Sequence, residues 1–265
     1  MPRSFTYQAL TLRVKPSGES NREAWFLTAE EGIIRATVFG GPKSRLRARV
    51  APYHEGKLWI YHDPVRDSRK VSDFDVQSYR TGIRELYERA MCAGAVAGTI
   101  LASRGGGFGG SGTLHLTGSI LDALETADAE ASSRIGIYFL WQWAQVLGEK
   151  PDLSYCAACG KELKQGEALW YHSRKETIYC ENCMERLQTA ADALSAGLPP
   201  AHSSAGVGFR LGPGAINWLK ATEPLSAPDI LRVSLDNSSQ EQAKTFVKAV
   251  LAGSLGQRLN TWEGI

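Results

Sequence analysis

The stretch GIIRATVFGGPKSRLRARVAPYHEGKLWIYH, Gly32 to His62, carries three alternations in succession. Ile34, Ala36 and Val38 alternate with Ile33, Arg35, Thr37 and Phe39, and Leu58, Ile60 and His62 alternate with Lys57, Trp59 and Tyr61. An extended chain puts every second side chain on one face, whereas a helix turns about 100° per residue and scatters them. Both flanks therefore read as half-buried strands. Between them Lys43, Arg45, Arg47 and Arg49 recur at every second position, interleaved with Leu46, Ala48 and Val50. The same rule predicts another strand, a cationic stripe backed by an apolar one. Its charges would recur roughly every 6.6 to 6.8 Å, twice the rise of a β-residue, close to the phosphate spacing of an extended single nucleic-acid strand.

Outward from this stretch the pattern continues. Leu10, Leu12 and Val14 alternate with Thr11, Arg13 and Lys15, and the turn signals PSGES, EEG, GGP, HEGK and HDP separate short runs. Closely spaced strands of this kind predict a small antiparallel barrel over residues 1–78. From about Tyr79 the period changes to that of a helix: Ile83, Leu86, Tyr87 and Ala90, then Ala93, Val96, Ala97 and Ile100, predict one long helix up to Ser103. Two more are expected near Thr113–Ala127 and Ala131–Leu147. The resulting division is barrel 1–78, helical 79–150, cysteine-bearing 151–186 and helical again 187–265. In the last helix Ser239 and Gln242 predict a capping box, ahead of the stripe Ala243, Phe246, Val247, Val250 and Leu251. LPPAHSSAGVG, Leu198 to Gly208, reads as a flexible linker.

Charge is distributed unevenly. The 265 residues sum to +2, yet Met1–Arg80 holds 14 Lys and Arg against 9 Asp and Glu, and the remainder 16 against 19. Gly32 to His54 contains five cations and no carboxylate. That asymmetry points to a basic surface facing a polyanion, with a merely solvated face as the plainer alternative. No apolar run approaches the roughly 20 residues needed to cross a bilayer. The beginning, MPRSFTYQAL, lacks the apolar core and cleavage site of a signal peptide, so a cytoplasmic location is expected.

The most specific motif is CAAC, Cys156 and Cys159, followed after 20 residues by CENC, Cys180 and Cys183. Two residues between cysteines let both thiolates turn toward one ion, and two such pairs complete tetrahedral zinc. Four thiolates leave no open position, so one structural Zn2+ is expected rather than a catalytic one. Gly160 suits the knuckle turn, and Ala168–His172 and Glu176–Tyr179 read as short strands. His172, a conceivable further ligand, reads as an exposed strand histidine, and Cys92 as a buried small hydrophobe. The loop Gly105–Gly112 lacks the Lys-Ser or Lys-Thr of a nucleotide-binding loop and reads as an interhelical connection. The five histidines form no HExxH pair, which leaves a zinc nuclease or hydrolase without ligands for an open site. A zinc-ribbon transcription or ribosome-associated factor stays as the alternative, although only four cations against three carboxylates lie between the two cysteine pairs.

The order of barrel, helices, paired CxxC motifs and further helices resembles the RecO family of bacterial recombination mediators. The resemblance is sharpest in GESNREAWFLTAEEGIIRATVFGGPKSRLRARVAPYHEGKLWI and in FLWQWAQVLGEKPDLSYCAACGKEL, with GPGAINWLKAT a weaker match. It departs where Phe139 is followed by Leu140 and Trp141 instead of the Glu found after Phe in the family helix. It implies an α+β, multidomain protein: an N-terminal OB-fold β-barrel and a C-terminal α-helical domain with an inserted four-cysteine zinc module. It also implies a non-enzymatic, nucleoid-associated factor of DNA repair and recombination after DNA damage. Such a factor binds single-stranded DNA, with double-stranded DNA a further candidate, and anneals complementary strands. With RecR it loads RecA onto DNA covered by single-strand-binding protein, whose acidic C-terminal tail docks on the helical domain. An OB-fold tracks a single strand with cations and stacks bases on aromatic rings, so Arg35, Lys43, Arg45, Arg47, Arg49, Lys57, Trp59 and Tyr61 are the candidate DNA-binding residues. For Trp59, packing inside the protein is an equal alternative.

Overall fold

A computed structural model describes residues 3–41, 43–107, 110–195 and 208–265. Its first five strands are β1 (Ser4–Ser17), β2 (Asn21–Thr28), β3 (Gly32–Val38), β4 (Glu55–Asp63) and β5 (Ser68–Ser78). They close into a barrel in the order β1-β2-β3-β5-β4. β1 pairs antiparallel with both β2 and β4, while β3 meets β5 in parallel through a single bridge, Thr37 to Lys70. This is the five-stranded Greek-key barrel of the OB-fold. Its interior is filled by Tyr7, Ala24, Phe26, Ile34, Ala36, Val38, Leu58, Ile60, Val71 and Phe74. The alternations of β3 and β4 thus face as their period predicts: Ile34, Ala36, Leu58 and Ile60 inward, Arg35, Lys57 and Trp59 outward.

The cationic stretch is not a strand. Arg45–Arg49 form a short helix, α1, between β3 and β4. In a helix Leu46 and Val50, four residues apart, lie on one face, and both pack against the barrel core. Burial of this pair outweighs the period-two pattern of the charges, and the arginines fan out around the turn instead of lining an edge.

β1 departs from its apparent period as well. Thr11 is paired with Phe26 but Arg13 with Trp25, a bulge at Leu12. A bulge adds one residue and reverses which side chains face inward. Val14 therefore joins the barrel core, and Arg13 and Lys15 face outward. Leu10, paired with Leu27, lies on the outer surface yet is fully buried, because helices pack over β1 and β2 there. Leu10, Leu12 and Val14 do not share a face.

Those helices are α2 (Tyr87–Ala102) and α3 (Ser111–Thr126), followed by α4 (Ala129–Leu147). The long helix expected from Tyr79 is interrupted: Thr81–Arg84 form a 3-10 turn, and Leu86 is extended at the N-cap of α2. Arg80 explains the interruption. It sits in left-handed backbone, φ 47°, only 4% exposed, and donates to Asp122 and Glu55 at 2.6 Å each and to the Tyr53 carbonyl at 3.0 Å. Burial opposes its charge, but the two carboxylates outweigh that and raise its pKa. Cys92 lies in the core of α2 as expected, its thiol pushed up to about 12 by burial.

The C-terminal turn Asn260–Gly264 returns to α2, where Trp262 Nε1 donates to Thr99 Oγ1 at 2.7 Å. Gly98 permits that approach, since a Cβ there would stand 2.6 Å from Thr261 Oγ1. By packing, Met1–Gly136 with Thr261–Ile265 form one compact unit and Ile137–Asn260 the other.

In the second unit β6 (Leu169–His172) and β7 (Thr177–Tyr179) form the expected hairpin. A strand absent from the sequence reading, β8 (Gly208–Leu211), pairs with the other side of β6. The expected linker falls mostly outside the described residues, as do two residues of the glycine-rich loop. Helices α5 (Glu181–Ser195), α6 (Pro213–Thr222), α7 (Ala227–Ile230) and α8 (Asn237–Leu255) complete the unit. Phe246 of α8 meets Trp141 and Tyr171 at ring separations of 5.7 and 5.2 Å. The cap of α8 is Asp236, which accepts from Ser239 N at 2.9 Å, not the predicted Ser239. Gln242 instead accepts from Gly212 N at 2.6 Å, the amide at the start of α6.

Candidate nucleic-acid surface and metal centre

The outward side chains of the barrel come in cross-strand rows. One row runs Arg13, Trp25, Arg35 across β1, β2 and β3. The next runs Lys15, Glu23, Thr37, Lys70, Tyr61 and reaches β4. Further along, Trp59 lies between Thr6 and Asp73, and Lys57 between Gln8 and Asp75. Cations stand over rings in three places: Lys15 over Trp25 at 5.7 Å, Lys57 over Trp59 at 5.3 Å and Lys70 over Tyr61 at 4.6 Å. Such pairs hold an aromatic face upright beside a positive charge. Trp59 and Tyr61 are half-buried rather than sequestered.

The predicted cations fall into two groups. Arg35 is bound by Glu23 at 3.2 Å, and Arg49 by Asp73 at 2.9 Å. Lys43, Arg45, Arg47 and Lys57 make no ion pair among the described residues. Beside Arg47 lies Arg22 of β2, which donates to the Arg47 carbonyl at 3.4 Å. Burial first, then the charge of Arg47, lowers the pKa of Arg22. Sequence reasoning missed Arg13, Lys15, Arg22, Trp25 and Lys70. The alternation of Glu23 and Trp25 with Ala24 and Phe26 carried the signal for Trp25, but the bulge hid Arg13. Between β3 and β5, joined at one bridge, opens a cleft of about 360 Å³ lined by Glu23, Arg35, Thr37, Ser68 and Arg69.

The four cysteines meet as their spacing predicts: one Sγ of each lies within 4.8 Å of the others. The first pair sits on a knuckle in which Gly160 N donates to the Cys156 carbonyl and Cys156 N to the Lys161 carbonyl, both at 2.9 Å. Gly160 takes φ 68° there, which glycine adopts without a Cβ clash. The second pair opens α5, and Cys180 N donates to Cys156 Sγ at 3.3 Å. Burial works against the Cys156 thiolate, but amides of Cys180, Cys159 and Ala158 outweigh it and bring the thiol down to about 6. Cys183 is pushed up to about 12 by hydrogen bonds with Cys180 and Cys159. Four sulfurs this close cannot all be thiolates without a cation among them, so the donor set fits a metal ion. His172 stands apart: its Nδ1 accepts from Lys175 N at 3.3 Å, and it is not one of the clustered groups. Among the described residues, no helix is long and apolar enough to cross a membrane.

Comparison with known proteins agrees with this arrangement. A family model described as Recombination protein O N terminal matches residues 1–79, and one described as Recombination protein O C terminal matches residues 84–263. The chain is 28% identical over 181 residues to the DNA repair protein RecO of Rubrobacter xylanophilus, covering 68% of this chain and 71% of that protein. It is 27% identical over 266 residues to the DNA repair protein RecO of Desulfitobacterium hafniense, covering 95% and 88%. With both terminal models matched in sequence order over the barrel and the helical, cysteine-bearing remainder, the chain belongs to the RecO family.

Proposed function

We propose that this protein is a non-enzymatic DNA repair and recombination factor that binds single-stranded DNA on its barrel and anneals complementary strands. The observation that carries the reading is the OB-type barrel of a RecO-family chain whose outer rows set unneutralised cations beside half-exposed rings. Cations neutralise the backbone and rings stack on bases without regard to sequence. Double-stranded DNA meets the same cations through its phosphates. With RecR the protein hands single strands to RecA, in the cytoplasm and at the nucleoid.

Displacing single-strand-binding protein requires grip on that protein's acidic, apolar tail. A cleft of about 450 Å³ in the second unit, lined by Leu153, Leu163 and Ile216 with Lys164, Lys220 and a Glu167 paired with Lys161, offers matching apolar and basic groups. Cys156, Cys159, Cys180 and Cys183 hold one zinc ion in a structural role. Bound there, zinc supplies metal–thiolate bonds that tie the knuckle to the first turn of α5.

A strand-annealing assay with purified protein and no nucleotide tests the central claim. Annealing of complementary oligonucleotides well above the spontaneous rate is expected, and a rate equal to the spontaneous one overturns it. Titration with a tail peptide tests the docking separately, and absence of binding removes that partner.

A further inference from the structure

We propose that the row Arg13–Trp25–Arg35 is the platform on which a base of single-stranded nucleic acid stacks, in place of the Trp59 and Tyr61 face. The inference rests on the single-strand reading above and assigns its ring. Three observations carry it.

The first is the charge around each ring. Trp25 stands directly between Arg13 and Arg35 on adjacent strands, with Lys15 over its face at 5.7 Å. Glu23, opposite Lys15 in the next row, is engaged by Arg35 at 3.2 Å, and Arg13 and Lys15 form no ion pair among the described residues. Trp59, by contrast, lies opposite Asp73, and its neighbour Lys57 opposite Asp75. A base stacked on Trp59 would bring its phosphates toward two carboxylates, one of them already holding Arg49.

The second is the bulge at Leu12. Without it Arg13 would point to the barrel interior along with Ala9 and Thr11. The extra residue turns Arg13 outward, directly opposite Trp25, the kind of redirection bulges provide.

The third is the border of the row. The adjacent outer row, Leu27 and Ile33 on β2 and β3, is covered by the turn that ends α2. Gly105, at φ 79°, lies against it: a Cβ there would stand 3.3 Å from Ile33 and 3.7 Å from Leu27. Arg104 is exposed beside it in left-handed backbone, φ 53°, and its amide and that of Gly105 cap α2 through Leu101 and Ile100 carbonyls at 3.3 and 2.8 Å. Among the described residues this cover reaches Ile33 and Leu27, and the Trp25 row is the next one along, with Arg104 exposed beside the covering turn.

The test is titration of a fluorescein-labelled oligothymidylate against wild type and variants at several salt concentrations, with thermal unfolding as the folding control. Trp25→Leu, which keeps apolar bulk and removes the flat ring, is expected to weaken binding by roughly five- to a hundredfold, the range for one lost base–aromatic stack. Its log-log salt slope stays unchanged, because stacking releases no counterion. Trp25→Phe restores most of the affinity. Arg13→Ala and Arg35→Ala each flatten the slope by about 0.7, and Trp59→Leu stays within about twofold of wild type. If wild type binds and Trp25→Leu binds equally well, or Trp59→Leu is the weaker of the two, the platform is overturned while the single-strand reading stands. If wild type shows no salt-dependent binding, both fall.

Discussion

The barrel holds its shape by burial, while the cysteine segment gathers four sulfur atoms in one place that could hold a metal ion. Phe26, Phe74, Leu58 and Ile60 are each 1% exposed or less inside the barrel, and each such side chain contributes about 1.5–3 kcal/mol when removed from water. Between Pro151 and Arg186 the chain has a two-strand hairpin joined by β8, one isolated bridge, Tyr155 to Glu162, and the start of α5 around its four thiols. It buries Leu163, Tyr171 and Ile178 among others, but fewer than about 40 residues rarely hold a fold by burial alone, the regime in which metals are commonly recruited. In one region stability is spread over many contacts. In the other the proposed zinc concentrates it in one site.

The largest expected effect follows from that concentration. Structural zinc contributes an apparent 10–16 kcal/mol in small metal-folded peptides at pH 7, so Cys156→Ser should release the metal and unfold the segment around it. Zinc content and limited proteolysis check this: cuts should concentrate between Pro151 and Arg186 while barrel fragments stay intact. Cleavage spread evenly over the chain would break the contrast between the regions.

Next in size is Arg80, a buried cation that ties the barrel strands to α3 in the first unit. Arg80→Met leaves Glu55 and Asp122 unpaired and the Tyr53 carbonyl without its guanidinium donor. Breaking a buried ion pair costs about 3–5 kcal/mol, and we expect the lower end, about 3 kcal/mol, because the Asp122 side chain is 55% exposed and stays hydrated. Chemical unfolding followed by barrel and metal-segment probes should show the loss in the barrel signal alone.

What was legible in the sequence follows the same division. The cysteine spacing needed only local geometry, and the outward and inward faces of β3 and β4 only a regular pleat. The failures lie where a long-range contact overrules a local period. Leu46 and Val50 reach the barrel core and coil the cationic stretch into α1. One bulged residue, Leu12, reverses the faces of β1. Arg80, held by residues 25 and 42 positions away, breaks the helix expected from Tyr79. The cap of α8 moved to Asp236 because Gln242, half of the predicted box, is engaged by Gly212. β8 was unreadable because its partner strand lies across the residues 196–207 that precede it.

The arginines of α1, exposed at Arg45 and half-buried at Arg47, should matter to ligand and hardly to fold. Arg45→Ala with Arg47→Ala is expected to change stability by less than about 0.5 kcal/mol, as surface substitutions do, and to flatten the single-strand salt slope by roughly 1 to 1.5 units at about 0.7 per phosphate contact. Because α1 is a helix, the two side chains diverge, and a loss nearer one contact than two would show that only one of them reaches the strand. An unchanged slope with intact folding would remove α1 from the nucleic-acid surface.

The smallest effect concerns His54, where the barrel meets the turn before β4. Its ring Nδ1–H donates to the Arg49 carbonyl at 2.8 Å, and the ring stands edge-on to Tyr79 at 5.0 Å. Burial, aided by the charges of Arg84 and Arg80 and only partly offset by the Arg49 carbonyl, lowers its pKa from 6.5. The sign follows from which form folding prefers. Above 6.5 the ring is neutral in folded and unfolded chains alike, and the contribution is complete. As pH falls below 6.5 the unfolded chain takes up the proton first, so stability is lost until the folded ring is protonated too. His54→Asn keeps a donor for the Arg49 carbonyl and has no proton to gain. Urea midpoints of the barrel signal measured from pH 7.5 down to 5 should therefore fall more for wild type than for His54→Asn, with the two curves parallel above 6.5. Curves parallel throughout would assign the acid sensitivity to groups other than His54, and a divergence in the metal-segment signal instead would place it on the cysteine side of the contrast.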